Sequence, residues 1–183
     1  FIWDEFCDWY IEMVKPRLYA TDDAKSQAAA LWTLKTVLLD ALKLLHPYMP
    51  FVTEEIFCNL QEEEESIMIS QWPVYKEEWN FAKEETQVER MKEIIRGVRN
   101  VRAEMNVAPS RKAGVFVVCE NEILCEGFEE MKASSASLMS ASEIVIQNTK
   151  EGIEEDAVSV VVTDAVVYLP LEDLVDFEKE KER

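Results

Sequence analysis

The residue pattern predicts an α+β protein. A helical bundle runs to about Asn106, a small mixed sheet with one helix occupies 107–170, and a further helix begins over 171–183. Three observations carry this. Apolar residues recur at three- and four-residue intervals from Phe1 to Met105, as on helices that bury one face. Beyond Pro109 the chain turns to short β-branched runs, the signature of strands. Prolines at 16, 47, 50, 73 and 109 stand where one run gives way to the next.

The first helix is expected from Phe1 to about Tyr19. Ile2, Phe6, Trp9, Tyr10 and Met13 form its stripe, Trp3, Cys7 and Val14 widen it, and Pro16 ends or kinks the last turn. Thr21 with Asp22 and Asp23 is a cap for a second helix over Ala24–Leu45. Leu31, Leu34, Leu38, Ala41 and Leu45 give that helix a seam for antiparallel packing. Pro47 and Pro50 break it, and a short helix over Ile56–Leu60 follows Thr53. His46, the only histidine, reads as a cap at a helix C-terminus. Glu62–Glu65 is a solvated acidic loop, and Ser66–Pro73 an extended piece. Trp72 and Trp79 are expected to pack across helix ends. A long helix spans about Lys83 to Met105.

In the second part, Ala113–Cys119, Ser142–Gln147, Ala157–Val162 and Ala165–Leu169 read as strands, with a helix over Glu120–Ser135. Thr163-Asp164 has hairpin spacing but lacks the usual glycine. The expected cores are Trp3, Trp9, Leu31, Leu38 and Phe57 in the first part, and Val115, Val117, Ile144, Ile146, Val160 and Val162 in the second.

Composition narrows the function. An apolar content of 48% excludes general disorder. No apolar run approaches the roughly 18 residues of a membrane span, and no signal peptide opens the chain, so a cytoplasmic protein is expected. The first residue, Phe1, already sits in a helical pattern, which reads as a piece of a longer protein. Cys7, Cys58, Cys119 and Cys125 form no CxxC pair, and with one histidine the usual zinc sets are unavailable. Four glycines leave little room for phosphate-cradling loops, and no nucleophile elbow is present. No catalytic residue, metal ligand or cofactor-binding residue is assigned.

One stretch stands apart. From Arg90 to Lys112 the chain carries a net +5 within a total of −18, so the remaining residues carry −23. At about 100° per residue, Met91, Ile94, Ile95, Val98, Val101 and Met105 share a helix face, and Lys92, Arg96, Arg99 and Arg102 line its edge. Arg111 and Lys112 follow the proline break. Guanidinium forks match phosphate oxygens, so Lys92, Arg96, Arg99, Arg102, Arg111 and Lys112 are the candidates for holding an anionic partner. The competing reading is a solvated edge paired with the protein's own acids.

Phe1-Ile-Trp-Asp-Glu-Phe-Cys-Asp-Trp-Tyr-Ile-Glu12, Leu45-His-Pro-Tyr-Met-Pro-Phe-Val-Thr-Glu-Glu-Ile-Phe57 and Ile95-Arg-Gly-Val-Arg-Asn-Val-Arg-Ala-Glu-Met-Asn-Val-Ala-Pro-Ser-Arg-Lys112 resemble the anticodon-binding region of the valyl-tRNA synthetases, a family of class I aminoacyl-tRNA synthetases. The resemblance runs to Leu169-Pro-Leu-Glu-Asp-Leu-Val-Asp176, where such enzymes enter a C-terminal coiled coil. It implies a class I anticodon-binding bundle over 1–106, truncated at its N-terminal part, tRNA(Val) as partner, and Lys92, Arg96, Arg99, Arg102, Arg111 and Lys112 as the RNA-binding residues. ATP and Mg²⁺ would serve only the full-length ligase, whose catalytic and editing domains are absent here. Two alternatives stand beside it: the isoleucyl or leucyl relatives of the same bundle, and an acidic helical module docking another protein through its basic edge.

Overall fold

The computed structural model describes residues 1–20, 22–108 and 110–174. It resolves into two compact units, Phe1–Asn80 and Phe81–Arg183.

The first unit is helical. Ile2–Ile11 winds as a π-helix and continues into α1, Glu12–Tyr19. The Phe1 carbonyl accepts from the Glu5 N–H at 2.9 Å and the Phe6 N–H at 3.1 Å. Bonding to the fifth residue widens the turn and changes which positions share a face. Phe6, Trp9 and Val14 turn inward, whereas Trp3, expected in the core, is 74% exposed. Pro16 lies within α1, which ends at Tyr19.

Helix α2 spans Ala24–Leu45, the expected limits. Asp23 caps it, its Oδ1 accepting from the Ser26 N–H at 2.9 Å. Thr21 lies outside the described residues. Gln27 Nε2 donates to the Leu18 carbonyl at 2.7 Å and ties the start of α2 to the end of α1. The seam runs through Ala30, Ala41 and Leu42, with Leu38 partly buried. Leu31 is 54% exposed because it stands one residue, about 100°, from the inward-facing Ala30.

Helix α3 spans Pro50–Leu60 and begins well before the expected Ile56. Pro50 begins this helix rather than only breaking the previous one, since at the first helical position its missing N–H costs nothing. The Thr53 hydroxyl donates to the Met49 carbonyl at 2.8 Å and sits 2.7 Å from His46 Nδ1. His46 thus caps α2 and also joins it to α3. Phe57 packs with Leu42 and Ile67, flanked by Leu38, Leu39 and Leu60. Ile67–Ile69 forms a 3₁₀ turn where an extended piece was expected. Ser66 Oγ accepts from the Met68 N–H, and Glu54 Oε2 accepts from the Ile67 N–H, so side chains replace strand partners.

The second unit opens with α4, Ala82–Glu104. Strand β1 (Ala113–Cys119), helix α5 (Glu122–Met139) and strand β2 (Ala141–Gln147) form a parallel crossover. Strands β3 (Val158–Val162) and β4 (Ala165–Leu169) form a hairpin that pairs antiparallel with β1 through β4, and α6 occupies Leu171–Leu174. The strand order is β2-β1-β4-β3. The rest of the helix expected over 171–183 lies outside the described residues.

Alternation is strict where it matters. Ala113, Val115, Val117 and Cys119 on β1, and Ala165, Val167 and Leu169 on β4, are all buried. Ile144 is buried, while Ile146, Val160 and Val162 are half-buried near the sheet edges. Helix α4 packs on α5 and β3, and α5 on β2. Helix α4 therefore belongs with the sheet. The compact boundary falls at Asn80, and Met91, Ile94, Ile95 and Val98 are fully buried in the second unit.

Two glycines set the close approaches. A Cβ on Gly97 would stand 2.8 Å from Val160 Cγ1, and one on Gly127 would stand 2.4 Å from the Gln87 amide carbon. Gln87 is itself buried and donates to the Ile123 carbonyl at 2.9 Å, which pins α4 to α5. Gly97→Ala is expected to destabilise the chain by about 1–3 kcal/mol through overpacking. Urea unfolding with an unchanged m-value would show this, and wild-type stability would contradict the close approach of α4 to β3.

Candidate nucleic-acid interface

The basic stretch occupies the C-terminal half of α4 and the loop beyond it. The helix ends in a Schellman motif: Asn106 is left-handed at φ 51°, its N–H bonds the Ala103 carbonyl at 3.1 Å, and the Val107 N–H bonds the Arg102 carbonyl at 2.8 Å. Asparagine suits that conformation. The turn that separates Arg102 from Arg111 and Lys112 is thus set before Pro109, which lies outside the described residues.

The six predicted cations divide by burial. Arg96, Arg99 and Lys112 are exposed, and Arg111 is partly buried with Nη2 donating to the Glu172 carbonyl at 2.9 Å. Arg99 Nε donates to the Leu138 carbonyl at 2.8 Å, in the last turn of α5, where a cation meets the negative end of the helix dipole.

Lys92 and Arg102 depart from the expectation of a shared exposed edge. Lys92 is 1% exposed, and its ammonium pairs with Glu89 at 2.6 Å. Arg102 is 6% exposed; Nη2 donates to the carbonyls of Ala108 at 3.2 Å and Arg111 at 2.5 Å. Burial pulls its pKa below the ordinary arginine value. Both are held inside the fold by partners supplied locally, so neither presents its charge to a ligand. Arg102 instead fixes the loop that carries Arg111 and Lys112.

Arg90, outside the candidate set, has a structural role. Its Nε donates to Asp164 Oδ2 at 3.1 Å and its Nη1 to Glu93 Oε1 at 3.2 Å, while Glu93 Oε2 accepts from the Thr163 N–H at 3.3 Å. The β3–β4 turn is clamped onto α4 in this way. Asp164 takes the left-handed position, φ 63°, where a glycine was missed in the sequence, and its carboxylate is the acceptor for Arg90. The Thr163 hydroxyl foremost, then the Thr163 N–H and Arg90, hold the Glu93 carboxyl below its ordinary pKa.

Trp72 and Trp79 also differ from expectation. They are 58% and 41% exposed, and Trp79 packs edge-on against Trp32 of α2 rather than across a helix end. Their interleaving with Tyr75 and Lys76 was the available signal for a surface role. Among the described residues no three His, Cys, Asp or Glu side chains gather as a metal site requires, and no helix is long and apolar enough to cross a membrane.

Residues 1–117 match the family described as the anticodon-binding domain of tRNA ligase, and the chain belongs to that family. It is 49% identical over all 183 residues to the valine–tRNA ligase of Clostridium tetani, and 49% identical to that of Clostridium perfringens over the same span. The valine–tRNA ligase of Carboxydothermus hydrogenoformans is 40% identical, again over the whole chain. The chain spans 20–21% of the length of these relatives.

Two outcomes follow from the geometry. Arg102→Ala should lower the melting temperature, since the Ala108 and Arg111 carbonyls lose their donor and a buried side chain its packing, at a cost of about 1–3 kcal/mol, whereas Arg96→Ala should leave it nearly unchanged; thermal unfolding of both variants checks this. The lowered pKa of Glu93 means that its stabilisation is present above the ordinary carboxylate pKa and is lost as pH falls through the lowered value. Glu93→Gln should therefore be less stable than wild type at neutral pH, the two converging as acid is added. Parallel stability curves down to about pH 3 would contradict the clamp.

Proposed function

We propose that this chain is the part of a valine–tRNA ligase that holds the anticodon region of tRNA(Val). The observation that carries this reading is the exposure of Arg96, Arg99 and Lys112, close together in sequence, in a chain of net −18. Charges separated by more than about 8 Å are largely screened at physiological salt, so a local cationic strip attracts phosphate although the body is acidic. Such contacts position an RNA without reading its sequence.

Functionally, the anticodon-binding part extends through 1–106 into the loop to Lys112. The α+β module of 107–170 supports that loop. Valine activation with ATP and Mg²⁺, and editing, belong to regions of the longer ligase outside this chain, which works in the cytoplasm. No residue here is assigned to bind either cofactor. The chain by itself should show no valine-dependent ATP–pyrophosphate exchange; activity in a preparation free of host enzyme would contradict the assignment.

The direct test uses tRNA(Val) binding across a salt series. The Arg96→Ala/Arg99→Ala pair should weaken binding and flatten the slope of log K against log salt by roughly one to two units, with tRNA preference unchanged. Wild-type affinity and slope in that pair would remove the phosphate-binding role.

A further inference from the structure

The first unit exposes a pair of tryptophans held in a fixed arrangement. Trp32 of α2 and Trp79 meet edge to face, with ring centroids 6.3 Å apart and planes at 88°. Both remain open to solvent, Trp32 at 60% and Trp79 at 41%. Lys76 Nζ lies 3.9 Å from the centre of the Trp79 ring, a cation–π contact. Lys35, exposed on the same helix as Trp32, stands one turn further along. The segment from Gln71 to Asn80 has little regular structure beyond the turn at Glu77–Trp79, and it carries Trp72 and Tyr75 on its surface as well.

We infer that Trp32 and Trp79 form a stacking platform for an unpaired nucleobase of bound RNA, with Lys76 and Lys35 facing the attached phosphates. The inference rests on the tRNA-binding reading above and assigns it a second point of contact, on the first unit. An indole pressed edge-on against a second indole is rigid, so little freedom is lost when a base is laid on its open face. Ammonium groups beside that face suit a planar ring that carries negative charge on its backbone, which a nucleotide is and an apolar protein helix is not. Glu77 and Glu78 adjoin Lys76 and offset much of its charge. Affinity at this site must therefore come from stacking, and its loss should leave the salt dependence alone.

That separates it from the arginine row. In the full 183-residue chain, Trp32→Leu keeps apolar bulk and removes the aromatic face; it should weaken tRNA(Val) binding about tenfold with the salt slope unchanged. Trp32→Phe should restore most of the loss. A single-stranded RNA dodecamer should quench the tryptophan fluorescence of the wild type, and quench Trp32→Leu less. Thermal unfolding of each variant confirms that the fold is kept, and Trp79→Leu supplies a second substitution if Trp32→Leu lowers the melting temperature. If wild type binds tRNA(Val) with the expected salt slope while Trp32→Leu and Trp79→Leu bind equally well, the platform is refuted and the phosphate reading stands. If wild type does not bind tRNA(Val) at all, both fall.

Discussion

The second unit depends on how closely α4 lies against the sheet. Gly97 is the point of contact, because a single methyl there would meet the β-branched side chain of Val160. That approach lets Met91, Ile94, Ile95 and Val98 fill one core with the inward residues of β1 and β4. It also brings the β3–β4 turn within reach of Arg90 and Glu93, so that a hairpin without glycine is held by charge-assisted bonds to the helix. Packing and the polar clamp are two consequences of one distance.

The same helix shows how a basic stretch divides its labour. Lys92 and Arg102 are spent inside the structure, one on Glu89 and the other on the carbonyls of the following loop. Arg102 carries the cost of a buried guanidinium bonded to neutral carbonyl oxygens, and in return it ties down the loop after α4. Arg96, Arg99 and Lys112 remain exposed.

In the first unit, rigidity comes from polar junctions rather than from a large core. His46 and Thr53 join α2 to α3, Gln27 joins α1 to α2, and the Gln61 amide organises the acidic loop by accepting from the Glu63 and Glu64 N–H groups. Several large aromatic side chains are left at the surface, among them Trp32, Tyr48, Phe51 and Trp72. Such residues supply broad planar area with few rotatable bonds, which fits surfaces that recognise RNA by stacking.

The sequence alone determined most element limits, because they follow from local rules. Ala24–Leu45, Ala113–Cys119 and Ala165–Leu169 are bounded by a cap, a change of period and a hairpin spacing, all written in neighbouring residues. The family, too, was legible in contiguous motifs. What the sequence could not decide was which of two adjacent residues faces inward. Trp3 lost its expected place to a π-helical turn, and Leu31 lost it to Ala30, since a helix can rotate through 100° without changing its composition. Nor could counting charges separate the exposed arginines from the buried ones. Arg102 is buried by carbonyls of the loop that follows it, and Arg99 is bonded by the end of a helix 39 residues away. Those partners are brought together only by the tertiary fold, and they determine which charges remain at the surface.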